Sequence, residues 1–517
     1  MTKKETRFTR FKRVPDQRAE CSAEIILPDF YPDVRKILHV SAEPHPISVF
    51  ASGDGLECSG GVNFDVVYLD FDGTVCSVSF NGDYDFKLKA DTEKYKDSLM
   101  ETKLASVSLR LMSPRKIAAK AMLDNYVTIL FDEEISVSGD ALDESRAPEL
   151  DAVSADFSYV AFSQSYEREY AESVCRFDGK IVDEISVVHT SVTPSITHLD
   201  RVDDGAEISG KLDVVLLIKT DESPLYRLEK SIDITEKISM SDIKNNSDLR
   251  ALIDVASVTT NINGDEAGVE LVLNMVTETR LVCEGNETLD LVCDAYLCDT
   301  ECNNTYSEIC FDHYLGKLAY KGEIDESVSL QNLDVGKLRE VVYSSSVLHV
   351  EDCSLCNDSI VILGKIQTSC IASEIKDDGS TEFTPLKFTT EFKQNVNYTC
   401  QNPDKIKVIP NIKLTNTSAA VDSDSVYLRA DAEILCSICE ERSLRVLSCS
   451  NVSHDNKVEH NKSRIIVYYP TSSDTLYSIA KAHHTTKERL ILDNPHIVEA
   501  SSDGGDALSK IRKLIIT

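Results

Sequence analysis

The chain has 517 residues, 42% of them hydrophobic and 27% charged, with 54 basic against 87 acidic side chains and a net charge of −33. This composition describes a packed chain of about three to four domains rather than a disordered one. The acidity excludes nucleic acid and anionic lipid as natural partners, because both need clustered Lys and Arg; it favours a basic partner surface instead.

From the N-terminus, Met1 to Arg7 is basic, but no apolar stretch follows, so a secretory signal is not expected. The longest apolar runs, such as Leu212 to Ile218, fall far short of the ~18 residues that span a bilayer. The expectation is a soluble, cytoplasmic protein without membrane insertion.

One pattern then occurs three times. Val34 to Leu38 leads to Leu56–Tyr68, Val182 to Ser186 leads to Ala206–Ile218, and Leu338 to Val342 leads to Ile360–Cys370. In each, a short alternating run precedes a Gly-containing apolar strand. The anchoring glycines Gly60, Gly210 and Gly364 lie 150 and 154 residues apart by subtraction; an isolated strand glycine marks a bulge or a close backbone approach. A turn follows each strand, at Asp70–Thr74, Lys219–Pro224 and Lys376–Ser380, where Gly supplies positive φ and Pro presets its own. A late strand pair closes each unit: Ala105 to Met112 with Tyr126 to Phe131, Asp254 to Asn261 with Gly268 to Val276, and Lys407 to Leu414 with Ser425 to Ile434. Repetition at this spacing predicts a tandem array. Between the units, Ser163 to Ser173 has helical character, and acidic Asp140 to Asp156 reads as an exposed loop.

The sixteen cysteines are spread out rather than spaced as a disulfide framework, and read as reduced thiols. Cys353-x-x-Cys356 and Cys436-x-x-Cys439 have the shape of zinc-ligand pairs. They stand about eighty residues apart, unlike a compact ribbon, so core or surface thiols are the expectation, with no metal and no cofactor. His349-Val350-Glu351 resembles half of a deaminase motif, but the following cysteines come too soon for a second helix. Nucleophile-elbow, H-E-x-x-H and Walker motifs are all missing, and no catalytic residue is expected.

After Cys449 a polar stretch gives way to Arg464–Pro470, a β-branched strand. Leu476, Ile479, Ala480 and His483 then share one helical face, with Asp474 as the expected cap. A second helix is expected from Thr485, with Glu488 completing a capping box, to Asn494-Pro495. His483-His484 suits the first helix's C-terminal end. Lys513–Ile516 closes a β-α-α-β layout.

Ser473-Asp474-Thr475-Leu476-Tyr477-Ser478-Ile479-Ala480, with Leu490 and Asn494-Pro495, resembles the LysM motif. That resemblance implies a groove formed by Asp474, Thr475, Leu476 and Tyr477 with Asn494, Pro495, His496 and Ile497, suited to N-acetylglucosamine-containing glycan or to a protein partner. Two departures count against the glycan: Ser473 stands where the family has Gly, and Ile511-Arg512, after an extended Ser501 to Ser509 loop, replaces its Gly-Gln. Leu27-Pro28-Asp29-Phe30-Tyr31-Pro32-Asp33-Val34 is similar to the opening of proteins with tandem DUF3794 (SPOCS-type) repeats and a terminal LysM. This resemblance covers nearly the whole chain. It implies a morphogenesis factor of the endospore coat on the mother-cell side of the forespore, docking through LysM on a coat-basement ATPase, with self-association through the repeats.

The expected fold is therefore mainly β: three tandem β-sandwich-like repeats at 31–175, 176–332 and 333–450, preceded by a segment 1–30. A linker at 451–462 leads to the LysM module at 463–517.

Overall fold

Alternating burial runs through most of the chain, and it dictates strands. In Thr381–Asn397, for example, Thr384, Leu386, Phe388, Thr390 and Phe392 all turn inward while their neighbours face out, the period-two signature of a half-buried strand. The computed structural model describes residues 2–53, 55–221, 225–241, 243–244, 246–333, 335–356, 358–376, 379–422, 424–457, 465–497 and 511–517. These residues are mainly β.

The first stretch contains β1 (Thr2–Ile26), β2 (Lys36–Pro44), β3 (Ser48–Ser52), β4 (Gly55–Leu69), β5 (Val75–Lys89), β6 (Tyr95–Ser113) and β7 (Lys116–Gly139). The second contains β8 (Glu149–Phe162), β9 (Tyr166–Asp178), β10 (Ile185–Val202), β11 (Gly205–Thr220), β12 (Tyr226–Ser239), β13 (Asp248–Gly264) and β14 (Gly268–Tyr296). The third contains β15 (Thr300–Ser329), β16 (Lys337–Cys356), β17 (Ser359–Ile375), β18 (Thr381–Asn397), β19 (Ile406–Asp422) and β20 (Ser425–Lys457). A small terminal unit holds β21 (Ile466–Tyr468), α1 (Leu476–Ala482), α2 (Lys487–Asp493) and β22 (Leu514–Ile516).

Each of the first three stretches contributes two sets of antiparallel strands, and a parallel bridge between β7 and β20 joins one set of the first stretch and one of the third into a six-stranded sheet. One is a meander: β2–β4–β5 with β3 beside β4, then β10–β11–β12, then β16–β17–β18. In the other, a long opening strand pairs with the closing hairpin: β1 on β7–β6, β8 and β9 on β14–β13, and β15 on β20–β19. The faces of the two sheets bury one another. Leu212, Leu216 and Ile234 meet Val269, Leu271 and Leu273 in the second unit, and Ile362 and Phe388 meet Leu428 and Ile434 in the third. Each such side chain contributes about 1.5–3 kcal/mol through burial.

The glycines at the repeated position sit where no side chain fits. A Cβ on Gly210 would lie 2.4 Å from the Ser195 carbonyl oxygen, and one on Gly364 would lie 2.4 Å from that of His349. Both face register shifts in the neighbouring strand, a backbone approach that only glycine permits.

The units meet through side chains from corresponding positions. Phe8 packs edge-on against Phe157, which stacks on Phe311 at 4.0 Å between ring centroids. His39, His189 and Tyr343, again 150 and 154 residues apart, lie within 5.0–5.8 Å of one another, ring centre to ring centre. Between these contacts Arg250 of β13 makes two 3.0 Å bonds to Glu101 of β6, and Asn411 of β19 donates to the same carboxylate at 3.0 Å. The three units are thus joined along a common line.

Several expectations change. The strand pairing groups the chain differently from the expected boundaries: β1 pairs with β7 of the first unit, β8 and β9 pair with β14 of the second, and β15 pairs with β20 of the third. The supposed helix around Ser163 to Ser173 is largely strand β9, because Tyr170 and Val174, four residues apart, equally share one face of a strand and pack on the second core. The supposed loop from Asp140 to Asp156 buries Ala141 and Leu142 and then enters β8. The first late strand pair is longer and offset: Tyr126 to Phe131 pair with Tyr95 to Glu101, not with Ala105 to Met112. Strand β20 runs through the expected linker to Lys457. The remainder of that linker, Glu222–Pro224, Asp377–Asp378 and the Ser501 to Ser509 loop lie outside the described residues.

Candidate functional site

In the terminal unit, Thr475 rather than Asp474 caps α1: its hydroxyl accepts from the Ser478 N–H at 3.0 Å, while Ser478 Oγ accepts from the Thr475 N–H at 2.9 Å. Asp474 instead fastens the preceding turn, accepting from Tyr468 Oη at 2.9 Å and from the Thr471 N–H at 2.7 Å. The Thr471 bond, helped by Tyr468, holds its carboxyl below the usual carboxylate range. Thr486, one residue later than expected, caps α2 by accepting from the Arg489 N–H. His483 closes α1 and meets the Tyr468 ring edge-on.

The eight residues expected to form a groove divide into two groups. Thr475, Pro495 and His496 are exposed, and Asp474 and Leu476 are half-buried. Tyr477, Asn494 and Ile497 are buried. Asn494 is a brace: its amide donates to the Leu490 and Ile515 carbonyls at 2.8 and 2.7 Å and accepts from the Ile515 N–H at 2.7 Å, tying α2 to β22. Ile497 joins the unit's own core.

Tyr477 faces the second unit. Its ring meets Tyr296 edge-on at 5.2 Å, and burial pushes its hydroxyl far above the ordinary tyrosine range. Tyr296 Oη donates to the Thr485 carbonyl at 2.7 Å, Lys487 Nζ donates to the Leu150 carbonyl at 3.3 Å, and Lys481 pairs with Asp294. Burial alone would raise the Asp294 carboxyl, but Lys481 and Tyr306 outweigh it and hold it low. The terminal unit is therefore seated on β14 by a latch of aromatic, ionic and main-chain contacts. No local sequence pattern marked Asp294 or Tyr296, because only the tertiary fold brings a strand end to this helix pair.

Among the exposed residues of the terminal unit are several apolar ones. In the β21–β22 pair, Ile466 opposes Ile516, Tyr468 opposes Leu514 on the core side, and Val467 opposes Ile515 on the outer side. Val467 is 50%, Tyr469 68% and Leu492 72% exposed. Sequence reasoning missed the exposed face of β21, although the unbroken apolar run Ile465 to Tyr469, which must place apolar side chains on both faces of a strand, carried the signal.

The cysteine pairs do not converge. Cys353 and Cys436 share a hydrogen bond that pushes the first thiol up and the second down, whereas Cys356 is exposed and burial pushes Cys439 up to about 11. Among the described residues, no group of three or more His, Cys, Asp or Glu side chains is arranged to hold a metal ion, and no helix is long and apolar enough to cross a membrane. No family model, curated protein or solved structure matches the chain.

Proposed function

We propose that this chain is a non-enzymatic assembly protein: three tandem DUF3794-type β repeats carrying a terminal LysM module. Within that class we propose a morphogenesis factor of the endospore coat, working in the mother-cell cytoplasm and docking through the module on a coat-basement ATPase. The observation that carries this reading is the exposed outer face of Val467, Tyr469 and Ile515 on a module whose Tyr477 is already engaged by Tyr296. An aliphatic strip with one aromatic suits a protein hot spot. Sugar recognition would call for more convergent polar groups. The alternative, N-acetylglucosamine glycan binding, draws on the exposed Thr475, Pro495 and His496.

The test uses the full chain against the immobilised ATPase and against purified peptidoglycan. Replacing Val467 and Tyr469 together with Glu is expected to weaken ATPase binding by roughly 30-fold or more, the loss typical of an interface anchor. Circular dichroism should be unchanged, because both side chains point outward. Pelleting with peptidoglycan in the absence of ATPase binding would replace this reading with the glycan one.

A further inference from the structure

The two C-x-x-C segments that fail as a metal site leave a pair of a different kind. In a strand, residues three apart point to opposite faces. Cys353 of β16 and Cys436 of β20 turn inward, whereas Cys356 is exposed and Cys439 lies beside Ser158 of the second unit. Cys436 is fully buried in the third core, and Cys353 packs against that same core with its thiol on the Cys436 thiol. The two sulfurs come from opposed layers: β16 opens the β16–β17–β18 meander, and β20 belongs to the set that covers it.

Packing alone does not call for a thiol at 353. Cys353 stands opposite Ile362 in its strand pair, as Leu199 stands opposite Ile208 in the second unit and Val49 opposite Cys58 in the first. All three lie 11 residues before the repeated glycine, by subtraction. Leu199 and Val49 pack on the cores of their own units. An aliphatic side chain therefore serves this position elsewhere in the molecule, and only the third unit sets a cysteine there against a second cysteine.

Access to the pair is one-sided. Cys353 is half-buried and lines the cleft between the third and first units, a space of about 450 Å³ walled nearby by Val350, Val408 and Pro410. Cys436 lies behind it with no exposure. A small reagent in the cleft meets Cys353 first and Cys436 only through it.

We propose that Cys353 and Cys436 form a dithiol that closes into a disulfide when the chain meets a low-molecular-weight disulfide, fastening the two layers of the third unit to each other. The Cys353 thiolate attacks one sulfur of the small disulfide, forming a mixed disulfide and releasing one small thiolate. The Cys436 thiolate then attacks Cys353 Sγ, forming the Sγ–Sγ bond and releasing the second. The two protein protons end on the two small thiols; the protein pair is oxidised by two electrons and the small disulfide is reduced. The contact with Cys353 holds the Cys436 thiol below its ordinary value, which suits the sulfur that attacks second. The same contact pushes Cys353 up, so the first attack is the slow one. The bond closes a loop across 83 positions by subtraction, enclosing β17, β18 and β19, and a cross-link over that length restricts the unfolded chain strongly. It involves neither the terminal module nor its partner, so this bond and ATPase docking can fail separately.

The test treats the folded full chain with hydroxyethyl disulfide in mildly alkaline buffer, blocks the remaining thiols in urea, and maps tryptic peptides without reduction. A linked species of the 340–365 and 430–442 peptides is expected, with fragment ions placing the bond between Cys353 and Cys436. Cys356→Ser should keep it and Cys353→Ser should lose it; both positions tolerate the change, because one is exposed and the other half-buried. The oxidised wild type is expected to melt roughly 5 °C or more above its reduced form, and Cys353→Ser to show no such rise. Cys353 and Cys436 both recovered as blocked thiols, a bond mapped to Cys356 or Cys439, or a melting point that rises equally in Cys353→Ser would each overturn the proposal.

Discussion

The contact of Phe8, Phe157 and Phe311 and the contact of His39, His189 and Tyr343 follow one plan: three rings from corresponding positions, one per unit, closing on the line where the units meet. Their chemistry is opposite. The phenylalanines gain from area and from ring geometry, and nothing in that gain depends on pH. At the other contact, His189 Nε2 pairs with Tyr343 Oη at 3.0 Å and His39 Nδ1 with Ser369 Oγ at 3.1 Å, but His39 Nε2 and His189 Nδ1 are buried without a partner. Each such group costs about 1–3 kcal/mol. The difference teaches that the join between units tolerates either chemistry, and that only one of its ends is sensitive to protons.

The largest effect should come from breaking the apolar end. Phe157 lies between the other two rings, and Phe157→Ala is expected to cost about 3–5 kcal/mol in urea unfolding. A loss below 1 kcal/mol would mean that the units are not held together there.

The polar end can be sharpened by pH. Burial, reinforced for His39 by His189 and Lys387, pushes both histidines below their ordinary value of 6.5. The folded chain therefore refuses protons that the unfolded chain accepts, so stability should fall as pH drops below 6.5 and be indifferent to these groups above it. A fall of about 1–3 kcal/mol between pH 7 and pH 5 is expected. The double variant His39→Phe, His189→Phe, which imitates the other end, should flatten that slope; an unchanged slope would assign it to other groups.

A smaller and opposite effect lies beside the histidines. Burial, with help from Asp65, raises the Glu43 carboxyl from 4.5 to about 7. The folded chain keeps this proton where the unfolded chain has lost it, so the contribution is fully present below pH 4.5 and gone above about pH 7. Glu43→Gln, uncharged at every pH, should gain about 1–2 kcal/mol at pH 8, allowing for its partial exposure, and nothing at pH 4. Melting curves at the two pH values would separate this from a general effect of the amide.

Much of the architecture was legible because it is periodic. The glycines at 60, 210 and 364, the strand alternation and the β-α-α-β layout are all local patterns. The errors cluster where local pattern and tertiary role part. Strand β1 begins with many Lys, Arg and Glu and only Phe8 and Phe11 among them, as a solvated segment does, and only its pairing with β7 reveals its place in the first unit. Of the eight residues that the motif leads one to expect in a groove, the local helix-end positions could be read from the sequence, but that Tyr477 would be spent on Tyr296 depends on a contact 181 residues away by subtraction.

The unlike rings at the polar end have a consequence for how such a structure could be made. Three separate, identical chains meeting about an axis would bring three copies of one residue together: three imidazoles or three phenols. The bond from His189 to Tyr343 requires unlike neighbours. Carrying the units on one polypeptide frees each position to vary alone. It also makes their encounter intramolecular, so dilution cannot separate them as it would a trimer.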